Sequence, residues 1–206
     1  MTSGNNSYSV SETPLFVTQY FWKFRAPNAE ELIEFVNNPG EPIDNDYYRF
    51  GGNCYFDCIP LKKAKTYKDL IRPSLRVLMK YWKISKLRLS TAGGWICHYN
   101  YGNHQEIHHH GDEDLVSVFF ANDGPDFAKF YFYDRMSVLD SKFWRQIFPE
   151  QHAGEWVVPK VRAGDIIFFP GKIMHGVTPH MSNVTRKTLA VNFNAKPLAR
   201  RLGKDP

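Results

Sequence analysis

Apolar and polar positions alternate from Leu15 to Phe24, with Phe16, Thr18, Tyr20, Trp22 and Phe24 on one parity, the period of a β-strand. The period then lengthens. Asn28 reads as an N-cap with Glu31 three positions on, Leu32, Phe35 and Val36 recur at helical spacing, and Asn37-Asn38-Pro39-Gly40 is a stop, so a packing helix is predicted over 28–38. Residues 40–60 are rich in loop formers, punctuated by Gly51-Gly52 and Pro60. A second helix over 66–84 carries Leu70, Ile71, Leu75, Leu78 and Trp82 on one face, with Pro73 either kinking it or sitting near its start. Both helices are expected to cover one side of a sheet.

From Gly94 the pattern turns to short strands divided by turn residues. Strands are predicted at 95–99, 107–110, 115–121, 129–133, 155–161, 166–169 and 187–194, with one short helix capped by Asp140 and carrying Phe143, Trp144 and Ile147. Strand following strand at such spacing, with helices towards the N-terminus, predicts a mainly β fold: a double-stranded β-helix, that is, a jelly-roll or cupin-like barrel with N-terminal supporting helices. Residues 1–13, rich in Ser, Asn and Thr, read as a flexible arm, and 14–206 as one domain without an internal repeat or interdomain linker.

Composition strengthens the β reading. Aromatic residues make up 16% of the chain and concentrate in Val118-Phe119-Phe120, Phe130-Tyr131-Phe132-Tyr133 and Ile166-Ile167-Phe168-Phe169, while 43% hydrophobic content over 206 residues supplies a substantial core. A net charge of +5, from 26 basic and 21 acidic residues spread along the chain, allows attraction to an acidic substrate but forms no basic stripe for nucleic acid. The three cysteines make neither a CxxC motif nor half a zinc ribbon, since Cys54 and Cys58 are at i, i+4; they read as free thiols of a reducing compartment. With no apolar N-terminal leader and no long apolar span, a cytoplasmic protein away from membranes is expected.

The chemistry concentrates in Tyr99 to Asp114, which holds four of the eight histidines. In an extended strand Glu106, His108 and His110 would face one way and Ile107 and His109 the other, so one face offers two imidazoles two residues apart. That is a chelating pair, and His109 is left as a spectator. A second candidate is His175, which a buried apolar strand ending at Pro170 would deliver to a barrel rim. The third is Arg186, opening the final strand. An inward arginine is costly unless its donors meet an anion, and a planar guanidinium suits a carboxylate; Thr188, of the same parity, could add a hydroxyl.

Two motifs carry a family resemblance: Tyr99-x-x-Gly102-x5-His108-x-His110, and Gly164-Asp165-x4-Pro170-x4-His175-x10-Arg186-x-Thr188. Over about Gly94 to Asn194 the chain resembles the non-haem iron(II) and 2-oxoglutarate-dependent dioxygenases, in the branch of prolyl hydroxylases and small phage and bacterial relatives. The resemblance implies that two histidines and a third group hold Fe(II). With His108 as first ligand, which the spacing from Gly102 favours, the position two residues on is His110; with His110 as first ligand it is Asp112, and the family's usual two-histidine, one-carboxylate triad returns. It further implies that His175 completes the metal set, that Arg186 pairs with the far carboxylate of 2-oxoglutarate with support from Thr188 and the Tyr99 hydroxyl, and that O2 and 2-oxoglutarate are consumed with release of succinate and CO2 as a substrate is hydroxylated. An amino-acid residue of a peptide or protein, as in prolyl hydroxylation, is the expected substrate, a small molecule the broader class. Asn192 or Asn194 on the final strand could anchor a ligand imidazole. A cupin-like metal-binding domain without 2-oxoglutarate chemistry is the alternative, since Gly102-x5-His108-x-His110-x3-Asp114 also resembles a cupin motif; such a domain has no use for Arg186.

Overall fold

The computed structural model describes residues 19–39, 45–46, 55–58, 64–84, 88–134, 146 and 156–195. Its strands and helices follow in the order β1 (Trp22–Arg25), α1 (Ala29–Asn37), β2 (Asn45–Asp46), β3 (Tyr55–Cys58), α2 (Ala64–Tyr81), β4 (Leu89–Tyr99), β5 (Gln105–His108), β6 (Leu115–Phe120), β7 (Phe130–Tyr133), β8 (Trp156–Val157), β9 (Asp165–Pro170), β10 (His175–Val177) and β11 (Arg186–Ala195). They form a seven-stranded sheet in the order β1-β9-β6-β11-β4-β3-β2 and a four-stranded sheet in the order β5-β10-β7-β8. Every pairing is antiparallel. Mainly β architecture in two sheets is what the strand pattern predicts.

The large sheet is buried on both faces, which is why its central strands read as unbroken apolar runs rather than an alternation. Period two still sorts them. Leu115 and Phe119 of β6, Ile166 and Phe168 of β9, and Leu189, Val191 and Phe193 of β11 pack with Leu32 and Val36 of α1 and with Ile71, Leu75 and Leu78 of α2. The opposite parity, Val116, Val118 and Phe120, Ile167 and Phe169, and Ala190, packs with Phe130 and Phe132 of the small sheet. One core thus lies under the helices and the other between the sheets, and the candidate chemistry belongs to the second.

Helix α2 buries Ile71, Ser74, Leu75 and Leu78, the i, i+3, i+4, i+7 stripe of an amphipathic helix, and Pro73 falls inside it. Trp82, just past its end, meets Trp22 of β1 edge-on with ring centroids 4.8 Å apart. Asn28 sits at the start of α1 but makes no side-chain cap; its amide donates to Glu31 and to the Leu70 carbonyl at 3.0 Å, so it ties the helices together. Glu30 and Glu31 remain in the first turn, where the helix dipole favours them.

Several boundaries differ from the pattern. The strand predicted over 15–24 is β1, Trp22–Arg25, among the described residues, and that predicted over 155–161 is β8, Trp156–Val157, alone. β4 starts at Leu89 rather than near Trp95, because Thr91 and Gly93 pair with Phe193 and Asn192 although Ala92-Gly93-Gly94 are weak strand formers. The arm over 1–13 lies outside the described residues, as does, apart from Gln146, the helix expected from Asp140. Among those described, no helix is long and apolar enough to cross a membrane.

Candidate metal and co-substrate site

β10 is the pivot of the site. It lies between β5 and β7, and His175 is directly opposite His108 on one side and Phe132 on the other. That register brings the His108 and His175 rings to 4.3 Å between centroids although they are 67 positions apart. His110 arrives differently. The strand predicted over 107–110 ends at His108, and a bulge between His175 and Val177 breaks the strict parity, so that Gln105 faces the pocket and Glu106 does not join the cluster. His110 sits beyond the strand end, with its N–H donating to the Gly171 carbonyl at 2.8 Å. Gly171 makes that approach feasible, since a Cβ there would lie 2.1 Å from the Glu113 carbonyl oxygen.

The three imidazoles each offer a nitrogen, and these atoms lie within 4.8 Å of one another. Local hydrogen bonds settle which nitrogen two of them present. His108 Nδ1 is 2.9 Å from the Glu106 carbonyl and His175 Nδ1 2.9 Å from the Ile173 carbonyl. A carbonyl only accepts, so in both rings the proton is on Nδ1 and the Nε2 lone pair is free. His110 Nε2 lies 3.1 Å from His175 Nε2, close to the roughly 3.0 Å that two nitrogens at about 2.1 Å from one ion would show at right angles. Packing holds the rings. His110 is stacked on His175 with planes 2° apart and on Trp95 at 5.7 Å, and Phe130 and Phe169 flank His175.

Burial drives all three rings to the neutral form a metal requires. His110 is pushed down to about 3 by burial and then by His108; burial is also the main cause for His108 and His175, both lowered. Asp112 is exposed in the turn after Gly111 and stands outside the cluster. His109 is exposed, its Nδ1 accepting the Gly111 N–H at 2.9 Å.

From these nitrogens the pocket runs along the inner face of the large sheet. Arg186 is opposite Tyr99 and Thr188 opposite Cys97 in the β11–β4 ladder, so all four share a face and line the pocket with the histidines. Arg186 is 97% buried, which follows from its 3% exposure, and its guanidinium lies 4.8 Å over the Tyr99 ring and 5.4 Å over Phe120. Its Nη1 has no hydrogen-bond partner, and among the described residues no carboxylate pairs with it. Burial lowers its pKa, yet an arginine stays charged in practice. The Tyr99 hydroxyl donates to Gln105 Oε1 at 3.1 Å. A buried cation without an anion, in one pocket with three converging imidazoles, is a receptor for a ligand with a metal-binding end and an anionic end.

Trp95, Cys97 and Gln105 also line this pocket, and the sequence reading did not single them out. Trp95 and Cys97 share the parity of Tyr99 on one strand, which is the signal that could have found them; Gln105 is placed by the bulge, which leaves no such trace. Burial pushes the Cys97 thiol up to about 11, so it is a protonated, neutral part of the wall.

Residues 93–192 match the family described as "Putative 2OG-Fe(II) oxygenase". That match spans 100 of the 206 residues, just under half of the chain. No curated protein matches the chain by sequence. Several solved structures share the fold at low identity. HygX from Streptomyces hygroscopicus, solved with nickel and 2-oxoglutarate bound, has a TM-score of 0.60 at 13% identity, covering 86% of this chain and 83% of that one. The alpha-ketoglutarate-dependent epimerase SnoN of nogalamycin biosynthesis has a TM-score of 0.62 at 15% identity, covering 91% and 86%. A Pseudomonas putida prolyl-4-hydroxylase has a TM-score of 0.57 at 14% identity, covering 87% of this chain and 95% of its own. The chain therefore shares its fold with proteins of several chemistries.

Proposed function

We propose that this protein is an Fe(II)- and 2-oxoglutarate-dependent oxygenase that hydroxylates an amino-acid residue of a peptide or protein, consuming O2 and releasing succinate and CO2. His108, His110 and His175 hold the iron, Arg186 takes the far carboxylate of 2-oxoglutarate, and Thr188 and the Tyr99 hydroxyl support that end. The observation that carries the reading is the unpartnered Nη1 of buried Arg186 in the same pocket as the three converging imidazoles. Asp112 has no part in this assignment, because it is exposed and outside the cluster. A cupin-like site without 2-oxoglutarate leaves Arg186 unexplained.

Bound iron supplies the oxidative chemistry, and the chain's residues supply everything around it. His108, His110 and His175 would hold the metal as three neutral imidazoles, and the metal would supply the positions at which small ligands bind. Arg186 and Thr188 orient a dicarboxylate by its distal end, so that the keto acid end points along the pocket to the metal. Phe130, Val118 and Val177 keep the interior apolar and dry. The peptide substrate is supported by the resemblance to prolyl hydroxylases and by the match to 95% of the P. putida prolyl-4-hydroxylase chain. A reducing, cytoplasmic setting accords with the free thiol of buried Cys97.

The test is turnover of 2-oxoglutarate to succinate with Fe(II) under air, with a peptide library screened for gain of one oxygen. Arg186→Ala should raise the 2-oxoglutarate requirement roughly 30- to 150-fold, the worth of about 2–3 kcal/mol for a hydrogen-bonded charged group, while metal affinity is unchanged. Equal loss of both would make Arg186 a structural residue, and no succinate from the wild type would reject the oxygenase.

A further inference from the structure

His108 and His175 owe their free Nε2 to main-chain carbonyls, but His110 has none. The atom beside its Nδ1 is the Asn192 side-chain amide, 2.7 Å away. Asn192 is 4% exposed, on the same face of β11 as Arg186, Thr188 and Ala190, and it sits at the register break where Ala92 is skipped between Gly93 and Thr91. Bulges re-aim side chains next to sites. Among the described residues the amide's only hydrogen bond is to His110, and its other end, placed as Oδ1, meets no partner. Nothing but His110 therefore sets which way the amide faces, and its oxygen and nitrogen occupy equivalent positions.

The geometry points to Asn192 as the positioning residue that makes His110 a metal ligand: its amide oxygen accepts the Nδ1–H of His110 and so holds Nε2 bare. This rests on the metal site proposed above and assigns the group that lets an imidazole off the strand end serve there. The logic is that of tautomers. Metal binding at Nε2 requires the proton on Nδ1, a proton on Nδ1 requires an acceptor beside it, and the amide oxygen is the acceptor within reach. With the amide nitrogen facing Nδ1 instead, the ring carries its proton on Nε2 and donates it to His175 Nε2 across the 3.1 Å gap, an arrangement that excludes an ion. Trp95 fixes the plane of the ring by stacking, and Asn192 fixes its proton.

The test titrates Co(II) into the wild type, Asn192→Asp, Asn192→Leu and His110→Ala, and reads the His110 tautomer by two-bond proton–nitrogen correlation spectra. A carboxylate accepts and leucine does neither, so N192D should bind Co(II) at least as tightly as the wild type while N192L binds 10- to 100-fold more weakly. The Nδ1–H form of His110 should persist in the Co-free N192D protein, where a purely structural role predicts no difference between the variants. Wild-type affinity in N192L, or equal weakening in N192D and N192L, overturns the assignment while the metal site stands. Should N192L fail to fold, loss of Co(II) affinity in N192D alone overturns it. Failure of the wild type to bind Co(II) rejects the metal site itself and this inference with it.

Discussion

At the scale of single residues, the question is which group joins His108 and His175 on the metal. The sequence left His110 and Asp112 both open, because a two-residue offset in the register of one short strand exchanges them. Geometry favours His110, whose Nε2 is 3.1 Å from that of His175, over an exposed carboxylate in the following turn. His110→Ala should therefore abolish tight Fe(II) or Co(II) binding, and Asp112→Ala should change it by less than about twofold, as expected of a surface residue. Metal titration followed calorimetrically distinguishes them, and the reverse order would restore the carboxylate triad. Arg186 was legible from sequence for a physical reason: an inward cation on a barrel strand needs an anion. Asn192 was legible only as one of two candidates on that strand, and the ladder register separates it from exposed Asn194.

At the scale of elements, the longer strands were readable and their ends were not, while β2 and β3 lie in the stretch 40–60 that reads as loop and β10 has no strand pattern of its own. The apolar runs at 115–120 and 165–170 announce strands buried on both faces, whereas β8 and the start of β4 depend on partners that no local pattern encodes. The bulge opposite β5 is the clearest case: strict alternation places Glu106 beside His108, and the observed register places Gln105 in the pocket instead. The turn that carries His110 depends on Gly171. Because a Cβ there would press on the Glu113 main chain at 2.1 Å rather than on a flexible side chain, Gly171→Ala must displace the 109–114 turn. We expect a loss of about 1–3 kcal/mol in stability from overpacking and weaker metal binding than in the wild type, with Arg186 and the co-substrate end unaffected. Denaturant midpoints and metal titration on that variant check both, and unchanged metal affinity would show that the turn adapts.

At the scale of the whole molecule, a large sheet with two dry faces lets the protein keep helices for support on one side and reserve the other for chemistry. Holding three neutral imidazoles and an unpaired guanidinium in that second core has a consequence for stability. The folded protein holds the imidazoles below their ordinary pKa of about 6.5, so on acidification the unfolded chain binds protons that the native state refuses. Stability of the metal-free protein is therefore full above about pH 6.5 and falls below it, by about 1.4 kcal/mol per pH unit for His110 down to its folded pKa of about 3. Urea denaturation at about pH 7.5 and 5 measures it, and His110→Ala should flatten the dependence. The fold class could be read from short apolar runs divided by turn residues; substrate choice could not, because the loops that meet a substrate obey no period.

The most direct measurement of the central claim is the visible absorption of the anaerobic Fe(II) protein on addition of 2-oxoglutarate. A pocket with three imidazoles at one end and Arg186 at the other should chelate the keto acid to iron and produce a weak charge-transfer band that is absent with succinate, absent in His175→Ala, and recovered in Arg186→Ala only at far higher 2-oxoglutarate. A spectrum that does not change when 2-oxoglutarate is added to the iron-loaded wild type would contradict the account.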